Sequence, residues 1–235
     1  MRRTPVRLAA IVAAIVGTLA LPAFAAEPTA AERVAAIKAN LAESQTILRQ
    51  YEWIETTVVS IKGDEKSRKQ QRCYYGADGT IRKVPITQPA PEPHKRGLLG
   101  KIEEKKKEDL TGPMQEAVSL VHQYIPLNPN GIQSVTEDGK LYFNVTDPGK
   151  QGRLTIRDFL KSGDLVDLDL DLTNNRPLAL KINSFLDTEW EAVTLAVTFG
   201  SLYGKATFAQ EMVLEARGKQ LKVTVQNTGY HQAVQ

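Results

Sequence analysis

The sequence is poor in the residues that build disulfides, metal sites and charged binding surfaces. It has one cysteine, Cys73, among 235 residues, so an internal disulfide cannot form. It also has little excess charge. Three of its 30 Lys and Arg residues lie in the first 25 positions, and the other 210 positions carry 27 basic and 27 acidic residues. This balance excludes a strongly basic domain, so we expect no nucleic-acid partner.

Motifs of catalysis are absent as well. The sequence has no Gly-rich phosphate loop, no H-E-x-x-H, no G-x-S-x-G and no C-x-x-C. Its three histidines, His94, His122 and His231, are not at the spacing of metal ligands. We therefore predict a protein that is not an enzyme, with no catalytic residue, no metal site and no cofactor. A hydrolase site assembled from distant residues stays open as an alternative, because such sites leave no local motif.

Residues 1–25 have the three parts of a secretory signal peptide. Three arginines precede an apolar run over residues 8–21, and the small residues at positions 23 and 25 form a cleavage site. The run is shorter than the roughly 20 apolar residues that span a bilayer. We expect cleavage after Ala25, export to a periplasm, and one domain over residues 26–235.

A helix is predicted over residues 29–49. Thr29 and Glu32 have the spacing of a capping box. Apolar residues recur behind this cap at near-helical intervals, at Val34, Ile37, Leu41 and Leu48.

Most of the remaining chain has the pattern of antiparallel strands. The first is aromatic and β-branched over residues 51–62, and a polar hairpin over 66–75 and 80–86 follows. Later strands are predicted over 141–146, 153–160 and 165–172, and around Leu178–Ile182, Val193–Phe199, Phe208–Leu214 and Leu221–Val225. These elements predict an α+β fold with one large, curved, mostly antiparallel sheet of about 8–10 strands, an incomplete barrel covered by two helices.

The middle of the chain interrupts the strand pattern. Residues 87–112 contain three closely spaced prolines and a run of lysines, and they predict a flexible insertion. Within it, residues 94–110 are interpreted either as a mobile lid over one mouth of the sheet or as a solvated loop. The second helix is predicted to begin at residues 111–113 and to end before Pro126. Its apolar face is expected to consist of Met114, Ala117, Val118 and Val121.

Four aspartates at residues 164, 167, 169 and 171 form the most metal-like cluster. A calcium loop starting at Asp167 requires Gly at its sixth position and Glu at its twelfth. Leu172 and Leu178 occupy those positions. The alternation therefore predicts the polar face of a half-buried strand, with Lys181 on the neighbouring strand offsetting the repulsion.

Two further sets of residues have a functional and a structural interpretation. Cys73 is either a reactive thiol or a small, partly buried side chain, and we favour the second because no cationic motif surrounds it. Four strand and loop aromatics line an apolar pocket or fill the core: Tyr51, Trp53, Trp190 and Tyr203.

In outline the sequence resembles the periplasmic lipoprotein carrier family, the LolA-like and LolB-like proteins. The resemblance rests on YEWIETTVVSIKG after the first helix and on the closing stretches LALKINSF, AVTLAVTFGSL and LKVTVQNTGY. It covers most of residues 29–230, and the insertion at 87–112 departs from it. The resemblance implies an unclosed barrel whose apolar concave face, covered by helices, carries acyl chains.

Three functions follow from these patterns. The first is a periplasmic carrier or binding protein for a lipid or lipoprotein acyl chain, with a membrane-associated partner. The alternatives are an envelope scaffold protein with a filled core and the unmarked hydrolase. For the carrier we predict that nine apolar residues contact the ligand, two of them aromatic and seven aliphatic: Trp53, Leu98, Leu99, Ile102, Val118, Val121, Leu195, Val197 and Phe199.

Overall fold

The computed structural model describes residues 28–86, 112, 114–124 and 134–233. Ten strands form one antiparallel sheet in the order β3-β2-β1-β10-β9-β8-β7-β6-β5-β4. The predicted insertion at 87–112 lies almost entirely outside the described residues, as does the predicted signal peptide. The strands are β1 (Tyr51–Ile61), β2 (Asp64–Tyr75), β3 (Ile81–Pro85), β4 (Leu141–Asp147), β5 (Gln151–Arg157), β6 (Leu165–Asp171), β7 (Arg176–Phe185), β8 (Ala192–Leu202), β9 (Ala206–Ala216) and β10 (Leu221–Gln232).

Helix α1 (Ala30–Leu48) begins at the capping box that the sequence predicts. The Thr29 side chain accepts a hydrogen bond from the backbone N–H of Glu32, and the Glu32 carboxylate accepts one from the backbone N–H of Thr29. Not all of the apolar residues at helical spacing are buried, because Leu41 is 40% exposed. The buried residues are instead Arg33, Ile37 and Ser44.

Contacts of α1 show that the sheet is curved. The helix contacts β1, β4, β7 and β9. β1 and β4 are seven strand spacings apart in the sheet order, which corresponds to about 34 Å on a flat sheet. A helix of 19 residues is only about 28 Å long. The sheet therefore curves around α1, and β3 and β4 remain as its two free edges.

A second helix, α2, covers residues 114–124, and a helical turn covers residues 134–137. Ala117, Leu120 and Tyr124 are the buried residues of α2. Val121 packs against the core as predicted, whereas Val118 is 36% exposed and lies outside that face. The two helices cover one side of the sheet, which we call the inner face.

The inner face is densely filled along β5 to β8. Leu154, Ile156, Val166, Leu170 and Ile182 are each no more than 2% exposed. On β6 the apolar side chains point to this face and the aspartates to the other, as the alternation predicts. Among the described residues, no helix is long and apolar enough to cross a membrane.

On β7 the predicted alignment of Leu178 with Leu180 and Ile182 is wrong. The register shifts between Asp169 and Leu170 of β6, so Pro177 rather than Leu178 pairs with Leu170. Leu178 is left as the extra residue of a β-bulge and is half-buried. Proline has no backbone N–H to donate, and it is tolerated here because a bulge interrupts the ladder of hydrogen bonds between strands.

Candidate functional site

A groove of about 570 Å³ lies between α2 and two loops of the sheet. One loop connects β5 to β6 and the other connects β7 to β8. Three leucines and five polar residues line the groove: Leu120, Leu160, Leu186, Glu116, Ser119, Gln123, Lys161 and Asp187. The walls are therefore mixed, which differs from the apolar walls expected of a simple acyl pocket.

The loop between β5 and β6 is organised around Asp164. This carboxylate is 2% exposed. It accepts hydrogen bonds from the backbone N–H groups of Phe159 at 2.6 Å, Leu160 at 2.8 Å and Lys161 at 3.0 Å. These three donors precede Asp164 in the chain, so their hydrogen bonds fold the loop back on itself. β5 therefore ends at Arg157, before the end of the strand that the sequence predicts over 153–160. The loop thus holds Leu160 and Lys161 at the groove.

Asp164 also attaches α2 to the sheet. The hydroxyl of Tyr124 donates to Asp164 Oδ2 at 2.7 Å and lies 2.8 Å from Ser184 Oγ on β7. Tyr124 is completely buried, and burial, followed by the hydrogen bond to Asp164, raises the pKa of its phenol well above the usual range. We call Tyr124, Asp164 and Ser184 the latch.

Lys161 also lines the groove, but its charged nitrogen is hydrogen-bonded within the protein. Its Nζ donates hydrogen bonds to the carbonyl oxygens of Phe185 and Leu186, the second at 2.9 Å. The same nitrogen lies 4.4 Å from the centroid of the Phe185 ring. The cation therefore ties the β5–β6 loop to the end of β7, and Leu186 is held beside Leu160.

Arg33 is a buried cation at another point of the inner face. The residue is 7% exposed, and its guanidinium carbon lies 4.3 Å from the centroid of the Phe143 ring on β4. Its Nε has no hydrogen-bond partner in the part of the chain that the structure describes. Sequence reasoning missed this residue because an arginine in an alanine-rich helix is normally assigned to solvent. Its spacing of four from Ile37, the innermost apolar residue of α1, was the available signal.

The predicted ligand-contacting residues that the structure describes do not line the groove. Leu195 and Val197 are buried in the core, and Phe199 and Val121 pack against it. Val118 is exposed on α2. Leu98, Leu99 and Ile102 lie outside the described residues, so their role as ligand contacts stays a prediction.

Trp53 lies in a separate aromatic cluster at the other end of the sheet. Its ring stacks on Tyr230 with centroids 5.5 Å apart and lies 5.7 Å from Tyr75. Its Nε1 donates to Asn227 Oδ1 at 3.1 Å. The register between β1 and β10 shifts at Trp53, so two residues of β10 lie opposite it. One of them is Gly229, whose φ is 65°, and this bulge brings Tyr230 onto the indole ring.

The four aromatics that the sequence assigned either to an apolar pocket or to the core do not lie together. Trp190 is 90% exposed and Tyr203 is 74% exposed, both in connections between strands. Tyr51 lines a smaller cleft of about 200 Å³ that also contains Arg49 and Arg72. Only Trp53 of the four is fully enclosed.

Asp167 and Asp169 of β6 are hydrogen-bonded to side chains of β5. Arg153 donates to Asp169 at 2.6 and 3.0 Å, and the Thr155 hydroxyl donates to Asp167 at 2.6 Å. Among the described residues, no three His, Cys, Asp or Glu side chains are grouped to hold a metal ion. Asp164 differs from its neighbours in sequence because it is buried in the latch.

Cys73 is completely buried and free. It lies on β2 opposite Trp53. Burial, and next the nearby Glu55 carboxylate, raises the pKa of its thiol. Both effects keep the thiol protonated, which favours the structural interpretation of this residue over the reactive one.

Comparison with solved structures finds similar folds. A LolA superfamily protein from Nitrosomonas europaea is 9% identical with a TM-score of 0.36, over 85% of this chain and 94% of its own. A DUF1329 family protein from Desulfovibrio piger is 7% identical with a TM-score of 0.35, over 84% and 93%. An outer membrane lipoprotein-sorting protein domain from Vibrio parahaemolyticus is 12% identical with a TM-score of 0.36, over 83% and 91%.

One of these structures is named as a LolA superfamily protein and another as a lipoprotein-sorting protein domain. The predicted fold class, an open antiparallel sheet with covering helices, is confirmed by the ten-stranded sheet itself. No protein-family model and no curated protein matches the sequence. A function therefore has to be argued from this chain's own residues.

Proposed function

We propose that this protein is a non-enzymatic periplasmic carrier or binding protein for a lipid or a lipoprotein acyl chain. The groove beside α2 is the observation that carries the proposal. Its volume of about 570 Å³ lies within the roughly 300–1,000 Å³ of small-molecule sites. We infer that the bound molecule is delivered to or taken from a membrane-associated partner.

The lining of the groove suits an amphiphile better than a purely apolar chain. Leu120, Leu160 and Leu186 offer apolar contacts, and Glu116, Ser119 and Gln123 line the groove from the exposed side of α2. Leu160 is 42% exposed, so a ligand that covers it gains from removing its apolar surface from water. The polar residues can meanwhile hydrogen-bond the oxygens of an ester or a headgroup.

The latch makes this groove a preformed site. Tyr124 holds the end of α2 against Asp164 and Ser184, while Asp164 shapes the loop that carries Leu160. The two walls are thus fixed by one buried network. A preformed groove binds more tightly because less conformational entropy is lost when the ligand enters.

A fluorescent acyl probe tests the groove. Leu160→Asp replaces an apolar wall residue with a carboxylate and is expected to weaken the binding of a dansylated fatty acid methyl ester about tenfold, the equivalent of losing roughly half of a leucine's burial. Probe titrations followed by dansyl fluorescence measure this change, and the melting temperature checks that the variant is folded.

Ile81→Asp is the matched control, because Ile81 is 46% exposed on the edge strand β3, away from the groove. It should leave probe affinity unchanged. Equal weakening by both variants, or no probe binding to the wild-type protein, would contradict the proposed site.

A second candidate function is the envelope scaffold, which the filled inner face favours. Leu154, Ile156 and Ile182 leave no room for a ligand between them and their neighbours, since each is at most 2% exposed. Trp190, 90% exposed, is then the natural anchor for a protein partner. On this hypothesis the wild-type protein binds no acyl probe.

A further inference from the structure

We propose that the cleft of about 200 Å³ at the start of β1 binds a phosphate group. Two arginines, three tyrosines and one glutamate line it: Arg49, Arg72, Tyr51, Tyr74, Tyr75 and Glu52. The volume is below the roughly 300 Å³ at which sites for small organic molecules begin. The cleft therefore suits one small polar group rather than an acyl chain, and we call it the arginine cleft.

The arginine cleft and the groove lie at opposite ends of the strands. β1 begins at the cleft and ends at Ile61. A row of paired residues leads from that end of β1 across the sheet to β7: Ile61, Leu221, Ala216, Val193 and Ser184. Leu186 of the groove follows this row closely in the chain. Among the described residues, none lines both cavities, so the proposal does not depend on the carrier function.

Arg49 is a cation of the cleft that has no acidic partner in the described part of the chain. It is the C-cap of α1, where a positive charge is favourable, but its guanidinium lies against the turn between β2 and β3. A Cβ added to Gly79 of that turn would be 3.3 Å from Arg49 Nη2. The neighbouring Asp78 pairs with Arg82 at 2.7 Å instead. The donors of Arg49 are thus available to a group that enters the cleft.

Glu52, the acidic residue of the cleft, has a basic neighbour at each of its two oxygens. Its Oε1 lies 2.6 Å from Nε2 of His231, and its Oε2 lies 3.5 Å from Nη1 of Arg72. The hydrogen bond with the Gly229 carbonyl, followed by the contact with Glu52, raises the pKa of His231 and so favours the charged ring. Two arginines and this histidine share one carboxylate, which leaves a positive balance that attracts an anion.

The tyrosines of the cleft supply further hydrogen-bond donors. Among the described residues, the hydroxyls of Tyr51, Tyr74 and Tyr75 have no hydrogen-bond partner. Tyr75 lies near Arg49, since burial raises the pKa of its hydroxyl and the charge of Arg49 acts in the opposite direction. The planar fork of arginine binds phosphate oxygens in a bidentate manner. Phosphate has more acceptor oxygens than a carboxylate and can use donors from several sides, which is why we assign phosphate.

Isothermal titration calorimetry of the full chain with inorganic phosphate tests the assignment. Arg49→Met is expected to weaken phosphate binding about ten- to a hundredfold, because it removes charge-assisted hydrogen bonds. Arg49→Lys keeps the charge without the fork and should recover part of the affinity. The melting temperature should not change in either variant, since Arg49 is exposed and makes no ion pair with a described residue.

Arg68→Met is the matched control for the arginine cleft. Arg68 is an exposed arginine of the same strand as Arg72, but it pairs with Glu65 at 2.7 Å and does not line the cleft. Its replacement should leave phosphate affinity unchanged.

Vesicles distinguish a lipid headgroup from free phosphate as the source of the ligand. The protein is sedimented with vesicles of phosphatidylcholine alone and with vesicles of phosphatidylcholine and phosphatidic acid in equal parts. Binding to phosphatidic acid that Arg49→Met weakens identifies the lipid headgroup. Binding of inorganic phosphate without binding to either vesicle identifies the free anion.

Three results overturn the inference. The first is an absence of Arg49-dependent binding both to inorganic phosphate and to phosphatidic acid. The second is equal weakening by Arg49→Met and Arg68→Met, which would show attraction by net charge alone. The third is acetate binding as tightly as phosphate, which would assign the cleft to carboxylates. None of these results concerns the groove, so the acyl probes test the carrier function separately.

Discussion

Asp164→Ala is expected to lower the free energy of unfolding by about 3–5 kcal/mol. The substitution removes the acceptor of three backbone N–H groups and of the Tyr124 hydroxyl, and a buried donor left without a partner costs about 1–3 kcal/mol. The corresponding fall in melting temperature is roughly 6–20 °C. Chemical denaturation followed by circular dichroism measures the change.

Asp169→Ala is the control for this experiment. Asp169 is also a hydrogen-bond acceptor, but its partner is the half-exposed Arg153 on the outer side of the sheet, so its loss should cost no more than about 1 kcal/mol. Tyr124→Phe removes one bond of the latch and is expected to cost about 1–3 kcal/mol. A double-mutant cycle of the two latch residues should then show coupling. Equal effects of Asp164→Ala and Asp169→Ala would show that the latch does not hold α2.

Trp53→Ala should also destabilise the protein strongly, by about 3–5 kcal/mol. Trp53 is 6% exposed and contacts Tyr75, Tyr230 and Asn227, so its removal leaves a cavity and an unpaired amide. Thermal unfolding measures the loss. Trp190→Ala serves as the control, because that indole is 90% exposed and its loss should change stability by no more than about 0.5 kcal/mol.

A second variant of this residue, Trp53→Phe, tests the sequence-based assignment of Trp53 as a ligand contact. If Trp53 is structural, the conservative Trp53→Phe keeps most of the ring packing and leaves acyl-probe affinity unchanged. A loss of probe affinity in Trp53→Phe at unchanged melting temperature would place the ligand at the aromatic cluster instead of the groove.

Local patterns predicted the elements of this fold well, because each depends on neighbouring residues. The capping box of Thr29 and Glu32 starts α1 where expected, and the alternation of β6 separates its leucines from its aspartates. The sequence also predicted one large antiparallel sheet. It did not predict that β1 pairs with β10, since pairing over such a distance leaves no local signature.

The errors came from residues whose environment is set by distant parts of the chain. Leu41 shares the apolar spacing of α1 and is nevertheless exposed, whereas Ser44 is buried and its hydroxyl accepts a hydrogen bond from the backbone N–H of Thr207. Leu178 left its face because a bulge shifts the register of β7. Hydrophobicity alone cannot foresee either effect.

Candidate site residues were the hardest to predict. The sequence grouped Asp164 with Asp167 and Asp169 as one aspartate cluster. Of these three, only Asp164 is buried, where it accepts a hydrogen bond from Tyr124. Arg33 was missed because helical arginines are mostly solvated. Sequence favoured the most apolar strand residues as ligand contacts, and such residues are equally the ones that fill a core.

The central claim is the proposal that this protein carries a lipid or a lipoprotein acyl chain. Native mass spectrometry of the protein purified from the envelope of its own host, without detergent, tests it most directly. We predict an adduct with the mass of a lipid or an acylated fragment, present on the wild-type protein and reduced in Leu160→Asp, whose substitution lies in the groove. Protein that is free of any adduct, and that binds none of the acyl probes afterwards, would contradict the account.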